Sequence, residues 1–323
     1  MGAGAMSTVV HAHDVTRRYG DVTALDQVSF SLTENRIHGL LGRNGAGKTT
    51  LMGIMTGQNF ATTGELRVFD EQPYENERVL SRVCFIKESQ TYPQHFKVRH
   101  ALDAARLLFP HWDEDVAQAL LADFRLPLKR QIRKLSRGMH SMLGITIGLA
   151  SRAPLTLFDE PYLGLDAVAR HLFYDHLLTD YAAHPRTVVL STHLIDEVGD
   201  LLENVLLLDN GRVLLDTTAD DLRGQVITAS GPASAVDEFA ATSDELHREA
   251  LGRYARATLR GTFGPAERDR ARELGLDLEP VSLQDIVIRL TTAQARRGDA
   301  PTGPADLGAA SGDAGITNRE AAR

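Results

Sequence analysis

Residues 39–50 read GLLGRNGAGKTT, with four glycines around one lysine and two threonines. Gly42, four intervening residues and then Gly47-Lys48-Thr49 have the spacing of a P-loop. Glycines let the backbone curl so that successive N–H groups, from Asn44, Gly45, Ala46, Gly47 and on to Thr50, point inward at phosphate oxygens. A helix starting near Lys48 adds the positive end of its dipole. Lys48 supplies a point charge to the β- and γ-phosphates, and the Thr49 hydroxyl is a ligand for Mg²⁺. An ordinary strand-to-helix turn also uses glycine. Here the apolar RIHGLLG (36–42) and the helix-like KTTLMGIMTG (48–57) supply the strand before and the helix after that a phosphate cradle needs. The expectation is an α/β P-loop core that cradles a nucleotide, with Thr49 as a ligand for Mg²⁺.

Outward from this loop, VVHAHDVTRRYG (9–20) and ALDQVSFSL (24–32) predict two strands around a Gly20-Asp21 turn, an antiparallel subdomain. VCFIKE (83–88), PLTLFDE (154–160) and TVVLSTH (187–193) are short apolar runs of the kind found in buried parallel strands. Between about 91 and 137 the β-branched runs disappear, and VRHALDAARLLF and WDEDVAQALLADF predict an inserted all-helical subdomain. VLLLDNGRVLL (205–215) is a hairpin signal around Asn210-Gly211. Residues 9–222 are thus expected to form the nucleotide-binding domain, after a flexible N-terminus at 1–8. A small α+β extension is expected over 223–296, with strands in GQVITASG, YARATLRG and LDLEPV. It ends in a helix with Ser282 and Asp285 in a capping pattern and Leu283, Ile286, Val287 and Leu290 on one face. Residues 297–323, rich in Gly, Ala, Pro and Asp, are expected to be disordered.

A cradle does not by itself hydrolyse nucleotide. That requires a carboxylate for the metal, a group that activates water, and charge stabilisation at the γ-phosphoryl. LTLFDE (155–160) ends a buried strand in Asp159 and Glu160, at the edge where open α/β sheets bind ligands. Asp159 is the expected Mg²⁺ carboxylate and Glu160 the expected base on the attacking water. VVLSTH (188–193) repeats the arrangement and ends in His193, an imidazole able to contact the γ-phosphate and keep Glu160 in register. LSRGM (135–139) precedes an apolar helix. Ser136 and Gly138 there read equally as a second anion site or as a plain N-cap.

Together these pieces resemble the ATP-binding subunit of ATP-binding cassette transporters. The P-loop, the signature LSRGM, the strand LTLFDE, the loop LGLD ending at Asp166 and the histidine of STHLIDE occur in that family's order. Within it, LSRGM, HWDED (111–115) and the C-terminal extension are similar to ATPases of ABC-2 type exporters, the YtrB-like group. The resemblance implies a RecA-like P-loop NTPase fold and a head-to-tail homodimer or heterodimer. Each nucleotide would lie between Lys48, Asp159 and Glu160 of one subunit and Ser136 and Gly138 of the other, with Asp166 also among the nucleotide-binding residues. It further implies adenine stacking on Tyr19 and a Q-loop residue near the metal. The usual glutamine is replaced by Glu88, with Gln90 two residues on, and the sequence leaves open which of the two serves. The signature also departs, carrying Arg137 and Met139.

Other classes are less well supported. The net charge of −8 and the single cysteine, Cys84, argue against nucleic acid as a general partner and against cysteine-rich zinc modules. The basic run RLPLKRQIRKLSRG (125–138) reads as a solvated helix and linker or as a contact near the dimer seam. A soluble ABC-type ATPase acting on nucleic acid or ribosomes is the alternative, and a regulatory nucleotide binder is a third. The start, MGAGAMSTVV, lacks a signal-peptide pattern, and no apolar run reaches the roughly 18 residues of a membrane helix. The expected location is the cytoplasm, peripheral on the inner face of the membrane, through a membrane-spanning permease subunit.

Overall fold

The structure, a computed structural model, describes residues 7–88 and 90–298. Of the expected flexible N-terminus at 1–8 and the expected disordered tail at 297–323, residues 1–6 and 299–323 lie outside the described residues. The chain opens with β1 (Thr8–Tyr19), β2 (Val22–Thr33), β3 (Ile37–Leu41), α1 (Lys48–Met55), β4 (Thr63–Val68), α2 (Glu77–Leu80) and β5 (Val83–Ile86). A helical stretch follows: α3 (Val98–Leu108), α4 (Glu114–Asp123), a 3-10 turn at Ile132–Lys134 and α5 (Arg137–Ala150). Next come β6 (Leu155–Asp159), α6 (Ala167–Ala183), β7 (Thr187–Thr192), α7 (Ile195–Val198) and the pair β8 (Asn204–Asp209) and β9 (Arg212–Thr218). The rest is α8 (Ala219–Gln225), β10 (Val226–Pro232), α9 (Ala233–Ala240), β11 (Asp244–Leu251), β12 (Tyr254–Arg260), α10 (Pro265–Glu273), β13 (Asp277–Pro280) and α11 (Leu283–Gly298).

The central sheet has the order β5-β6-β7-β3-β8-β9, parallel except for β9. Every residue of β3, β6 and β7 is buried, which is why these strands read as unbroken apolar runs. Their side chains alternate between two cores. Leu40, Leu155, Leu157 and Val189 face α1 and the antiparallel sheet β2-β1-β4. Leu41, Phe158, Val188 and Leu190 face the helical side, where α3, α4, α5 and α6 bury Leu102, Leu120, Leu143 and Phe173. The β8-β9 hairpin turns through Asn210 and Gly211, both at positive φ (47° and 77°), the mark of a type I′ turn. Its tip is tied to the P-loop by Gly211 N–H donating to the Ala46 carbonyl at 3.1 Å.

The extension has the order β-α-β-β-α-β, and its antiparallel sheet runs β11-β12-β10-β13, a ferredoxin-like arrangement. Val236, Phe239, Ala271 and Leu276 form its own small core. It is not an independent appendage. Leu283, Ile286 and Val287 of α11 belong to the same core as the central sheet's helical side, and the Ser282 hydroxyl caps this helix by accepting the Asp285 N–H at 3.1 Å. Two strands carry no sequence signal. β11 (DELHREAL) is a charged edge strand, and β4 (TGELRV) is half exposed and short. Among the described residues no helix is long and apolar enough to cross a membrane.

A buried ion network joins the helical insertion to the sheet. Asp180 of α6 contacts Arg186 at 2.6 Å and Arg152 at 3.1 Å, and Arg152 reaches Asp113, the N-cap of α4, at 2.7 Å. Asp180 and Arg186 are almost fully enclosed, so neither charge has water to fall back on. Asp180→Ala should therefore cost about 3–5 kcal/mol in urea-unfolding experiments.

Candidate functional site

The register of the central sheet builds the site. Leu41 of β3 pairs with Thr192 of β7, and Asp159 of β6 pairs with Ser191. Three strands thus end level, and the residues after them (the P-loop, Glu160 and His193) emerge at one edge. Gly42 makes the turn out of β3 at φ 146°, where a Cβ would sit 2.3 Å from the Leu208 carbonyl oxygen. Only glycine fits at that point. The result is a cavity of about 450 Å³ lined by Asn44, Gly45, Ala46, Gly47, Lys48, Thr49, Thr50, Glu88, Arg137, Asp159, Glu160 and His193, with Ala24 and Leu163 at its edge.

Lys48 is buried. Its ammonium donates to the Gly42 carbonyl at 2.8 Å and the Arg43 carbonyl at 3.2 Å, and lies 3.8 Å from Glu160 Oε1. Burial pulls its pKa below the ordinary lysine value, while the Glu160 and Asp159 carboxylates oppose that fall. Thr49 Oγ1 donates to Asp159 Oδ2 at 2.8 Å, and Asp159 Oδ1 is buried without a hydrogen-bond partner. A hydroxyl beside a half-satisfied carboxylate is a hard oxygen pair of the kind Mg²⁺ takes together with phosphate oxygens and water. These residues fit the metal that the P-loop spacing predicts.

Glu160 has φ 50°, in the left-handed region. For a non-glycine residue this costs on the order of 1 kcal/mol, and the neighbours hold it there. Its Oε2 takes hydrogen bonds from His193 Nδ1, at 2.8 Å, and from the Tyr162 hydroxyl. Its Oε1 is buried with no hydrogen-bond partner. Tyr162 is a residue that sequence reasoning missed. It lies in an unremarked position between Glu160 and the glycine of LGLD, and only its burial and bonding reveal it. Burial and the Glu160 carboxylate push its phenol pKa upward.

The remaining predicted residues do not line this cavity. Ser136 caps α5 by accepting the Met139 N–H at 3.2 Å, and Asp166 caps α6 by accepting the Ala169 N–H at 2.8 Å. Gly138 faces Gly164, and a Cβ on it would come 2.3 Å from the Gly164 carbonyl oxygen. Close backbone packing is therefore a reason for glycine at this position, separate from the phosphate contact that the family resemblance implies. Tyr19 ends β1 half exposed, with the Arg17 guanidinium 4.4 Å above its ring and 4.5 Å from the ring of Phe60. Of the two Q-loop candidates, Glu88 lines the cavity. Gln90 does not, and its amide oxygen is buried without a partner. Glu88 also accepts a hydrogen bond from Arg137, so the two departures from the usual motifs contact each other. Both side chains are substantially exposed, and such a pair contributes at most about 1 kcal/mol. Its consequence is the neutralisation of one negative charge beside the phosphate site.

A family model described as ABC transporter matches residues 25–163. Nod factor export ATP-binding protein I of Mesorhizobium japonicum is 30% identical over 312 residues, covering 89% of this chain and 88% of that protein. ABC transporter ATP-binding protein YtrB of Bacillus subtilis is 25% identical over 203 residues, 63% of this chain and 70% of that protein. A solved ATP-binding subunit of an ABC transporter has a TM-score of 0.61 at 26% identity, covering 67% of this chain and 92% of that one. The chain belongs to the ABC transporter ATP-binding family, whose members bind and hydrolyse ATP, dimerise and pair with membrane permease subunits.

Glu88→Ala should lower steady-state ATPase activity about tenfold, whereas Gln90→Ala should leave it within about twofold. Phosphate release at saturating Mg-ATP measures both.

Proposed function

We propose that this chain is the ATP-hydrolysing subunit of an exporter of the ABC-2 type, in which two copies, or one copy and a close relative, enclose Mg-ATP head to tail. The observation that carries the reading is the convergence of Lys48, Thr49, Asp159, Glu160 and His193 on one cavity, with Ser136 and Gly138 outside it. The likeness to a Nod factor export subunit over most of both chains supports the direction of transport.

In this reading the P-loop amides from Asn44 to Thr50 and the Lys48 ammonium hold the β- and γ-phosphates. Thr49 and Asp159 would hold Mg²⁺, which when bound neutralises charge on the β- and γ-phosphate oxygens. Glu160 Oε1 accepts from the attacking water and polarises it. His193 contacts the γ-phosphate and, through Nδ1, the Glu160 carboxylate. Tyr19 stacks on adenine with the ring face that Arg17 leaves open. Ser136 and Gly138 at the N-terminus of α5 reach the γ-phosphate of the facing subunit, and Asp166 lies at the seam. ATP makes these contacts only when two subunits close, so its binding favours the closed pair, and hydrolysis removes the difference. The motion passes to a membrane-spanning permease subunit at the inner face of the membrane.

Glu160→Gln keeps the shape of the side chain and removes its basicity. Turnover should fall at least about 100-fold while ATP stays bound and the subunits remain paired, as read by ATPase assay and by size-exclusion chromatography with light scattering in Mg-ATP. Near-normal turnover would remove Glu160 from this role. A solitary, ATP-loaded variant would remove the paired site.

A further inference from the structure

Tyr162 is 3% exposed, and its hydroxyl lies among four polar groups from three residues. It donates to Glu160 Oε2. It accepts from the Thr192 hydroxyl at 2.9 Å and from the His193 backbone N–H at 3.0 Å. His193 Nδ1 lies 3.3 Å away, and 2.8 Å from the same Glu160 oxygen. The directions follow from counting protons. A phenol has one proton to give and two lone pairs to fill. The His193 N–H can only donate. The Thr192 oxygen already accepts the Leu194 N–H at 2.9 Å and turns its own proton to Tyr162. The phenol proton is left for the carboxylate, the one neighbour that brings none.

The consequence falls on Glu160. Oε2 is occupied by Tyr162 and His193, while Oε1 is enclosed without a hydrogen-bond partner, 3.8 Å from Lys48 Nζ in the nucleotide cavity. The two carboxylate oxygens are chemically alike, and only their neighbours distinguish them. The same hydroxyl also pins the main chain of His193 at the end of β7 and helps retain the left-handed backbone of Glu160.

We propose that Tyr162 is a positioning residue for hydrolysis: its hydroxyl fixes Glu160 with Oε1 toward the attacking water and couples that carboxylate to the His193 segment. This rests on the reading of Glu160 as the water-polarising base. A fixed outer hydrogen bond matters because a carboxylate free to rotate loses its alignment with the water for most orientations. Tyr162 is not among the residues that line the nucleotide cavity, and its effect on hydrolysis passes through the Glu160 carboxylate it holds.

Tyr162→Phe keeps the ring and removes the hydroxyl. It should lower kcat about 10- to 100-fold, with KM for ATP and affinity for a non-hydrolysable ATP analogue changed less than about twofold. Normal analogue binding also reports that the variant is folded. Thr192→Val, which removes the hydroxyl holding Tyr162 from behind, should lower kcat several-fold, again without weakening binding. In a Glu160→Ala background, where there is no carboxylate to position, adding Tyr162→Phe should change the residual single-turnover rate by less than about twofold. Three results would each overturn the inference: a kcat for Tyr162→Phe close to that of the parent, a loss that tracks weakened nucleotide binding, or the same fold-loss in the Glu160→Ala background. If Glu160→Gln itself turns over normally, the underlying reading fails. If Glu160→Gln is inactive and Tyr162→Phe is not, only the role of Tyr162 fails.

Discussion

The parallel ladder joining β3, β7 and β6 is the constraint on which the rest of the molecule depends. With Leu41 opposite Thr192 and Asp159 opposite Ser191, three strands release their chains at one level. Strand side chains alternate in direction, so a slip of one residue would exchange the Leu157 and Phe158 faces and turn Asp159 away from Thr49. Dense apolar packing on both faces prevents that slip. The site's charged groups sit at the strand ends and on the loops that follow them, positioned by a core of buried leucines, valines and phenylalanines that do not line the cavity.

The charges gathered at this edge explain why so much scaffolding is needed. Asp159, Glu160 and Glu88 line the cavity, and among its described lining residues Lys48 and Arg137 oppose them. Lys48, Asp159 and Glu160 are buried, and buried charges interact more strongly than surface ones, so small displacements of these three are costly. Each is fixed by a specific partner: Lys48 by its own loop carbonyls, Asp159 by Thr49, Glu160 by Tyr162 and His193, and Glu88 by Arg137. The segment after His193 is held from outside as well. Arg223 of α8 donates to the Gly199 carbonyl at 2.5 Å, and Leu283 of α11 packs near Gly199. The C-terminal extension is therefore in physical contact with the end of the short helix α7 that follows His193.

Much of this was legible in the sequence because the relevant signals are local. The P-loop glycines, the buried strands before Glu160 and His193, the Asn210-Gly211 turn and the Ser282 cap each follow from a few adjacent residues and a backbone requirement. What was not legible depends on contacts between distant segments. Nothing in the letters of DEPYLGLD says that Tyr162 folds back to meet Thr192, thirty residues later. The Glu88–Arg137 contact was visible only as two separate departures from motif. Gly138 carries a packing role that depends on Gly164 in another loop. β11 went unread because an edge strand can be charged on both faces, and its pairing with β12 supplies what its own residues do not.

We propose that this edge forms one hydrolytic site in which Glu160 presents a single oxygen, Oε1, to the attacking water. A structure of the chain with Mg²⁺, ADP and vanadate tests it most directly. The apical oxygen should lie at hydrogen-bonding distance, about 2.6–3.2 Å, from Glu160 Oε1, with Oε2 still held by Tyr162 and His193 and with Thr49 and Asp159 on the metal side. A vanadate whose apical oxygen lies against another group, or a Glu160 released from Tyr162 and turned out of the cavity, would contradict it.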